Sequence, residues 1–256
     1  GYYNLHISSG LWSVTSPITS ISLTGNFGNN WLQYSTAYLY GISNATNEST
    51  SKAIGGVVTS DSTYYYHTFK SVGTFTPLQS LTADILVVAG GGGPSNGLSG
   101  GGGAGGLVYL SSQSLTAQAY PVIVGAGGPG GGVRINTAMI GSNGSNSQFG
   151  ALTAAVGGGK NGTSGGSGGG ADENNASAGT GTSGQGNTGG ARYNNNYATG
   201  GGGGGAGAAG SNGADGNSGA GGNGLSTYSS WGAATSTGQN VGGTYYYACL
   251  LYTSPS

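Results

Sequence analysis

The sequence predicts an all-β protein, on three observations: short runs of β-branched and aromatic residues recur at strand length, turn-forming residues separate them, and no apolar stripe with helical spacing occurs. Residues 1–45 open the series. Leu11, Trp12 and Val14 come first, then Thr19, Ile21 and Leu23 in strict alternation, then Tyr38, Leu39, Tyr40 and Ile42. The intervening GNFGNN at 25–30 supplies residues that tolerate positive φ, so 18–24 and 33–42 are expected to pair across it. So few strands do not make a stable sandwich, and 1–45 is read as the closing part of a β-sandwich whose other strands precede Gly1. The polar stretch that follows has no periodicity, and 46–56 is expected to be a linker.

From residue 57 the texture changes, and 57–248 is read as one glycine-rich domain. Strand signals lie at 64–69 (YYYHTF), 73–75, 81–89 (LTADILVVA), 106–110 and 120–124 (YPVIV). Between about 156 and 224 Gly, Ala, Ser and Asn dominate, interrupted at 171–177 and 191–200. Gly-X-Y repetition is absent and there are only 6 prolines, which excludes a collagen triple helix. Two states remain for this tract: a flexible coil, or extended polyglycine II helices hydrogen-bonded to one another. The bundle is favoured, because runs such as GGGGGGAGAAG at 200–210 can cross a domain at ~3.1 Å per residue.

Composition narrows the function. With 61 glycines among 256 residues and 35% hydrophobic residues, a conventional side-chain core cannot span the chain. Charged residues are 4% and the net charge is -1, so no basic field exists to collect nucleic acid. The longest apolar runs are far shorter than the ~20 residues of a membrane-spanning helix. Cys249 is the one cysteine and has no internal disulfide partner, and no Cys/His set has metal spacing. The octapeptide 249–256 (CLLYTSPS) breaks from the preceding texture, resembles translated sequencing adaptor, and is expected to be non-native.

Candidate sites are few. Gly125, Gly127 and Gly130 satisfy G-x-G-x-x-G after an apolar stretch, but no helix-forming run follows and no acidic residue lies between Asp84 and Asp172, so a dinucleotide site is rejected. His6 and His67 are the two histidines; His67 lies within a strand signal and reads as a surface or cross-strand residue rather than a general base. Asp84 is expected to cap or solvate the end of the strand that follows it. The sequons at Asn44, Asn47, Asn143, Asn161 and Asn175 are what chance gives at this composition. Tyr193, Asn194, Asn195, Asn196 and Tyr197 break the glycine texture most sharply, and Tyr228 with Trp231 forms a second group. Tyr and Asn on a loop suit recognition of a glycan or a protein epitope. The other reading of these aromatics is that they anchor the glycine layer to the strands. No catalytic set, metal site or cofactor site assembles, and the chain is read as a non-enzyme.

The order of motifs from Tyr66 to Ala171 resembles a glycine-rich domain of phage tail fibres and related virion appendages, also found in bacterial surface proteins. The residues that carry it are YHTF at 66–69, GTFT at 73–76, DILVVAGGGG at 84–93, GGGGAGGLVY at 100–109, YPVIVGAGGPGG at 120–131 and NGSNSQFGALTAAVGGG at 143–159. The piece before it is similar to the closing strands of a virion β-sandwich, through Leu39, Tyr40, Gly41 and Ile42. The resemblance implies a structural and adhesive module at a virion surface or otherwise extracellular, attached to other fibre subunits and contacting a glycan or protein receptor on a bacterial host. It implies no catalytic residues. A fibre of this kind is compatible with a homotrimer, although no residue pattern encodes that number. The alternatives are a bacterial surface adhesin or spacer built on the same domain, and a tail-spike depolymerase, which would need a carboxylate cluster that these residues lack.

Overall fold

The structure, a computed structural model, describes residues 51–95, 100–131, 141–172, 177–194 and 199–249. The chain divides into two units, 1–48 and 49–256. The strands expected within 1–45 and the tail after Cys249 lie outside the described residues.

Strands form where β-branched and aromatic residues recur between Gly, Ser and Pro turns. In chain order they are β1 (Ala53–Ile54), β2 (Val57–Ser60), β3 (Tyr65–Thr68), β4 (Gly73–Pro77), β5 (Leu81–Val88), β6 (Leu107–Leu115), β7 (Tyr120–Ile123), β8 (Gln148–Phe149), β9 (Gln239–Val241) and β10 (Thr244–Tyr246). All pairings between them are antiparallel. One sheet has the order β1-β4-β7-β8, and β2-β3, β5-β6 and β9-β10 are two-stranded. The side-chain core lies between the first sheet and the β5-β6 ribbon: Ala53, Phe75, Val122 and Phe149 meet Val87, Ala89, Val108 and Leu115. Phe75 and Phe149 are 5.6 Å apart between ring centres, and Tyr120 stacks on Phe149 at 5.5 Å. Burying such rings is the largest hydrophobic contribution this layer has available.

Two features depart from the sequence reading. Ala53 is 3% exposed and β1 pairs with β4, so part of the stretch read as a linker is structural. A short helix, α1 (Ser229–Thr235), follows the glycine tract; it has two turns and ends on Ser236 at φ 51°. Seven residues with a glycine in the middle carry no apolar stripe, and α1 exists by docking. The Ser229 hydroxyl accepts the Tyr245 N–H at 2.9 Å, and a Cβ on Gly232 would overlap the Tyr245 ring, so only glycine lets the helix sit this close to β10. The protein is otherwise all-β, with no helical domain among the described residues.

The glycine tracts are an ordered bundle of extended rods. Gly101 and Ala104 donate to the Gly201 and Gly204 carbonyls, while Gly103 and Gly106 donate to Gly159 and Val156. Ala89 and Gly92 donate to Gly106 and Gly103, and Gly90 and Gly93 to Ser145 and Ser142. Gly168 and Ala171 donate to Asn187 and Gly190, Gly201 and Gly204 to Ala171 and Gly168, and Gly219 and Gly222 to Gly200 and Gly203. In each pair the donors are three residues apart and their acceptors are three residues apart. That is the signature of polyglycine II, a helix with three residues per turn and no internal hydrogen bonds, whose amides point outward to its neighbours. The backbone groups are satisfied collectively, which decides the question that the sequence leaves open. Neighbouring rods also approach too closely for side chains. A Cβ on Gly92, Gly103, Gly168 or Gly190 would fall on the carbonyl group of an adjoining rod.

The hydrogen bonds also fix direction. Rods leave β5 and β7 and return to β6 and β8, so one end of the bundle meets the strands. Following the ladder outward, residues 95, 100, 131, 141, 172, 177, 194 and 199 all lie toward the other end. Tight turns at 182–185 and 206–208 lie at the strand end. The rod from Gly101 to Leu107 alone covers ~19 Å at ~3.1 Å per residue.

Candidate functional site

The sequence-selected residues fall at opposite ends of this bundle. At the strand end an aromatic cluster gathers from distant parts of the chain. Tyr228 and Trp231, the second predicted group, lie with ring centres 5.9 Å apart. Both meet Tyr109 of β6, at 5.1 and 6.1 Å, and Trp231 meets Tyr66 of β3 edge-on at 6.3 Å. Tyr64, 64% exposed, extends the cluster beyond Tyr66 at 6.4 Å. Tyr228 and Trp231 therefore hold α1 against the strands, which is the anchoring role. Both are half-buried rather than enclosed in the core.

Two carboxylates orient the cluster. Asp61 accepts the backbone N–H groups of Thr63 and Tyr64 at 2.7 and 2.8 Å, which closes the β2-β3 turn, and its second oxygen accepts the Tyr66 hydroxyl at 2.7 Å. That bond pushes the Tyr66 phenol up to about 12, because ionising it would place a phenolate against a carboxylate. The same bonds hold the Asp61 carboxyl below its ordinary value. Asp84 does the equivalent for Tyr109. It sits at a bulge in the β5-β6 register, between Ala83 and Ile85, rather than capping a strand start. One of its oxygens accepts the Ser112 N–H at 2.7 Å and the other the Tyr109 hydroxyl at 2.9 Å. Ser112 has φ 52°, so its left-handed backbone is held by that carboxylate. The Tyr109 phenol is raised by the Asp84 bond first, and the Tyr228 phenol by burial.

Beside the cluster lies a cleft of about 370 Å³, between the start of β6, the 184–187 turn and the approach to α1. Tyr109 and Tyr228 line it with Leu107, Leu225, Gln185 and Asn187. The two carboxamides are held by the bundle: Gln185 accepts the Val156 N–H at 2.8 Å and donates to Ala154, and Asn187 donates to Gly205 and Ala206.

At the far end, Tyr193 and Thr199 exchange backbone hydrogen bonds of 2.9 and 3.2 Å and form an isolated antiparallel bridge. Asn194 is exposed beside it. Asn195, Asn196 and Tyr197 lie outside the described residues. The bridge supplies a fixed two-stranded base for the predicted loop. A neighbouring turn is closed in the same way by Ala214 and Asn217.

The remaining motifs have structural roles. Gly125, Gly127 and Gly130 belong to a rod, and the Gly128 N–H between them donates to Gly91 at 2.8 Å. His67 is a cross-strand residue opposite Val58, with Nδ1 2.8 Å from the Gly55 carbonyl and Nε2 2.8 Å from the Ser51 hydroxyl. The Ser51 hydroxyl is also 2.7 Å from the Ala53 carbonyl, so rotating that one O–H satisfies either protonation state of the ring. Among the described residues no group of three or more His, Cys, Asp or Glu could hold a metal, and no helix is long and apolar enough to cross a membrane.

No curated protein and no solved structure matches the chain. A family model described as a glycine-rich domain matches residues 69–248, from the residue after β3 through the bundle to two residues beyond β10. The chain belongs to that glycine-rich domain family.

Proposed function

We propose that this chain is a structural and adhesive module of a phage tail fibre or related virion appendage, whose bundle holds recognition loops away from the strand layer and against a bacterial surface. The observation that supports it is directional. Tyr193 and Asn194, together with Ser95, Gly100, Gly131 and Asp172, fall toward the end of the bundle away from the strands, and the rods behind them are locked by hydrogen bonds every third residue. A stiff carrier costs little ordering entropy on contact, and Tyr and Asn at its end are residue types suited to a glycan or protein epitope. Identical copies on one particle would add weak contacts into avidity, so no deep pocket is required. The role is binding without turnover, and the receptor is a surface glycan or protein.

The test is adhesion of beads coated with the full chain to a panel of bacterial strains. Replacing Tyr193 and Asn194 together by Ala should reduce attachment about tenfold while leaving amide exchange in the bundle unchanged. Attachment that is undiminished by the double variant, or absent from every strain, would remove the reading. Sequencing through the parent gene separates the two carriers: flanking tail and baseplate genes place the module on a virion, whereas a secretion leader and wall anchor place it on a cell.

A further inference from the structure

The cleft at the strand end has a chemistry of its own, distinct from the loops at the other end of the bundle. We propose that it is a subsite for one pyranose ring of a neutral glycan. Its walls are two tyrosines and two leucines, and its polar contribution comes from phenol, carboxamide and glycine backbone, with no charged side chain in the lining. That excludes the phosphate, sulfate or carboxylate groups of an ionic ligand, which would leave water without a counter-charge. A sugar ring fits both kinds of surface, with an apolar C–H face for an aromatic ring and a rim of hydroxyls for amides and phenols. Tyr228 is half-buried and lines the cleft beside Tyr109.

The walls of the cleft are preorganised. Asp84 holds the Tyr109 hydroxyl, Trp231 and Tyr109 flank Tyr228, and both carboxamides are fixed by hydrogen bonds to the backbone. Rigid walls lower the ordering cost of binding a small ligand. The volume is at the lower end of the range for small-molecule pockets, which suits one ring of a longer chain rather than a folded partner.

Saturation-transfer NMR on the full chain, with maltohexaose, chitotetraose, cellotetraose and mannotriose, tests this, with a heparin tetrasaccharide as the charged control. At least one neutral probe should receive magnetisation, and the heparin probe should not. Tyr228→Ala should weaken that binding about tenfold, and Tyr228→Phe, which keeps the ring, by less. Ala206→Trp, which fills the cleft from its lining, should abolish it. It guards against a Tyr228 variant that fails because α1 detaches. Saccharide transfer lost with Tyr228→Ala and bead attachment lost with the Tyr193 and Asn194 replacement are separate readouts, so this site and the adhesive end fail independently. No transfer to any neutral probe, transfer to heparin alone, or binding that survives both Tyr228→Ala and Ala206→Trp would overturn the proposal.

Discussion

The strand layer and the glycine bundle solve the same problem with opposite materials. In the strand layer, side chains are the content: Phe75, Phe149, Val87 and Val108 interdigitate, and backbone bonds organise them. In the bundle, the backbone is the content, and the absence of Cβ atoms allows rods to approach until every third amide reaches a neighbouring carbonyl. The lesson is that glycine, which destabilises strands and helices, becomes the required residue once three-per-turn rods pack side by side. The ordering cost of each glycine is offset by hydrogen bonds shared across several rods, so the bundle should form or fail as a unit.

Substitutions can break this contrast, and the largest effect is expected in the bundle. Gly168→Ala places a Cβ on the Gly179 carbonyl, where both sides are backbone and neither can turn aside. It should cost about 5 kcal/mol or more and release amides throughout 156–224 to rapid exchange, read by hydrogen-exchange mass spectrometry. If Gly168→Ala keeps full protection there, the rods are not packed as described. Phe149→Ala in the strand layer comes next, at about 3–5 kcal/mol, read by thermal or denaturant unfolding.

The third substitution sharpens the comparison within the bundle itself. A Cβ on Gly91 would meet its nearest neighbour, the Gly103 carbonyl oxygen, at 3.6 Å, an ordinary contact. Gly91→Ala should therefore be tolerated or should stabilise by about 0.5 kcal/mol through the unfolded chain, in the same unfolding experiment. A penalty equal to that of Gly168→Ala would mean that glycine is needed for conformation rather than for close approach.

The smallest effect concerns titration. Asp61→Asn should lower the Tyr66 phenol from about 12 towards its ordinary value of 10.0, measured by tyrosinate absorbance. Because the Tyr66 value is raised on folding, its contribution is complete below pH 10 and is lost as pH rises through about 12. The Asp61 value is lowered on folding, so its contribution is present above its ordinary 3.8 and is lost on acidification below it. The bond is at full strength between those limits.

The strands were legible because they depend on local pattern. The stretches at 64–69, 73–75, 81–89 and 120–124 read as strands from β-branched and aromatic residues between turn signals, and β3, β4, β5 and β7 lie there. The rods were half legible: glycine content and run length permit a bundle, but the hydrogen bonds that decide it join residues as distant as Gly101 and Gly201. β1 and α1 were missed because two residues in a polar stretch and seven residues around Gly232 carry no periodicity, and both elements exist through their partners. For the aromatic cluster, Tyr228 and Trp231 stood out as neighbours in sequence. Tyr66 and Tyr109 did not, since nothing local announces a contact across more than a hundred residues. Asp84 reads from the sequence only as a residue before a strand, because a bulge shows itself only once the partner strand is in place.

The spacing of the donors has a consequence for how such a chain can change length. Each residue turns a rod by about 120°, so inserting one or two residues within it would aim every later amide at the wrong neighbour, whereas inserting three restores the phase one step further along. A rod should therefore tolerate a change in length only by multiples of three amino acids. The bundle imposes a triplet frame on its own sequence at the level of the polypeptide.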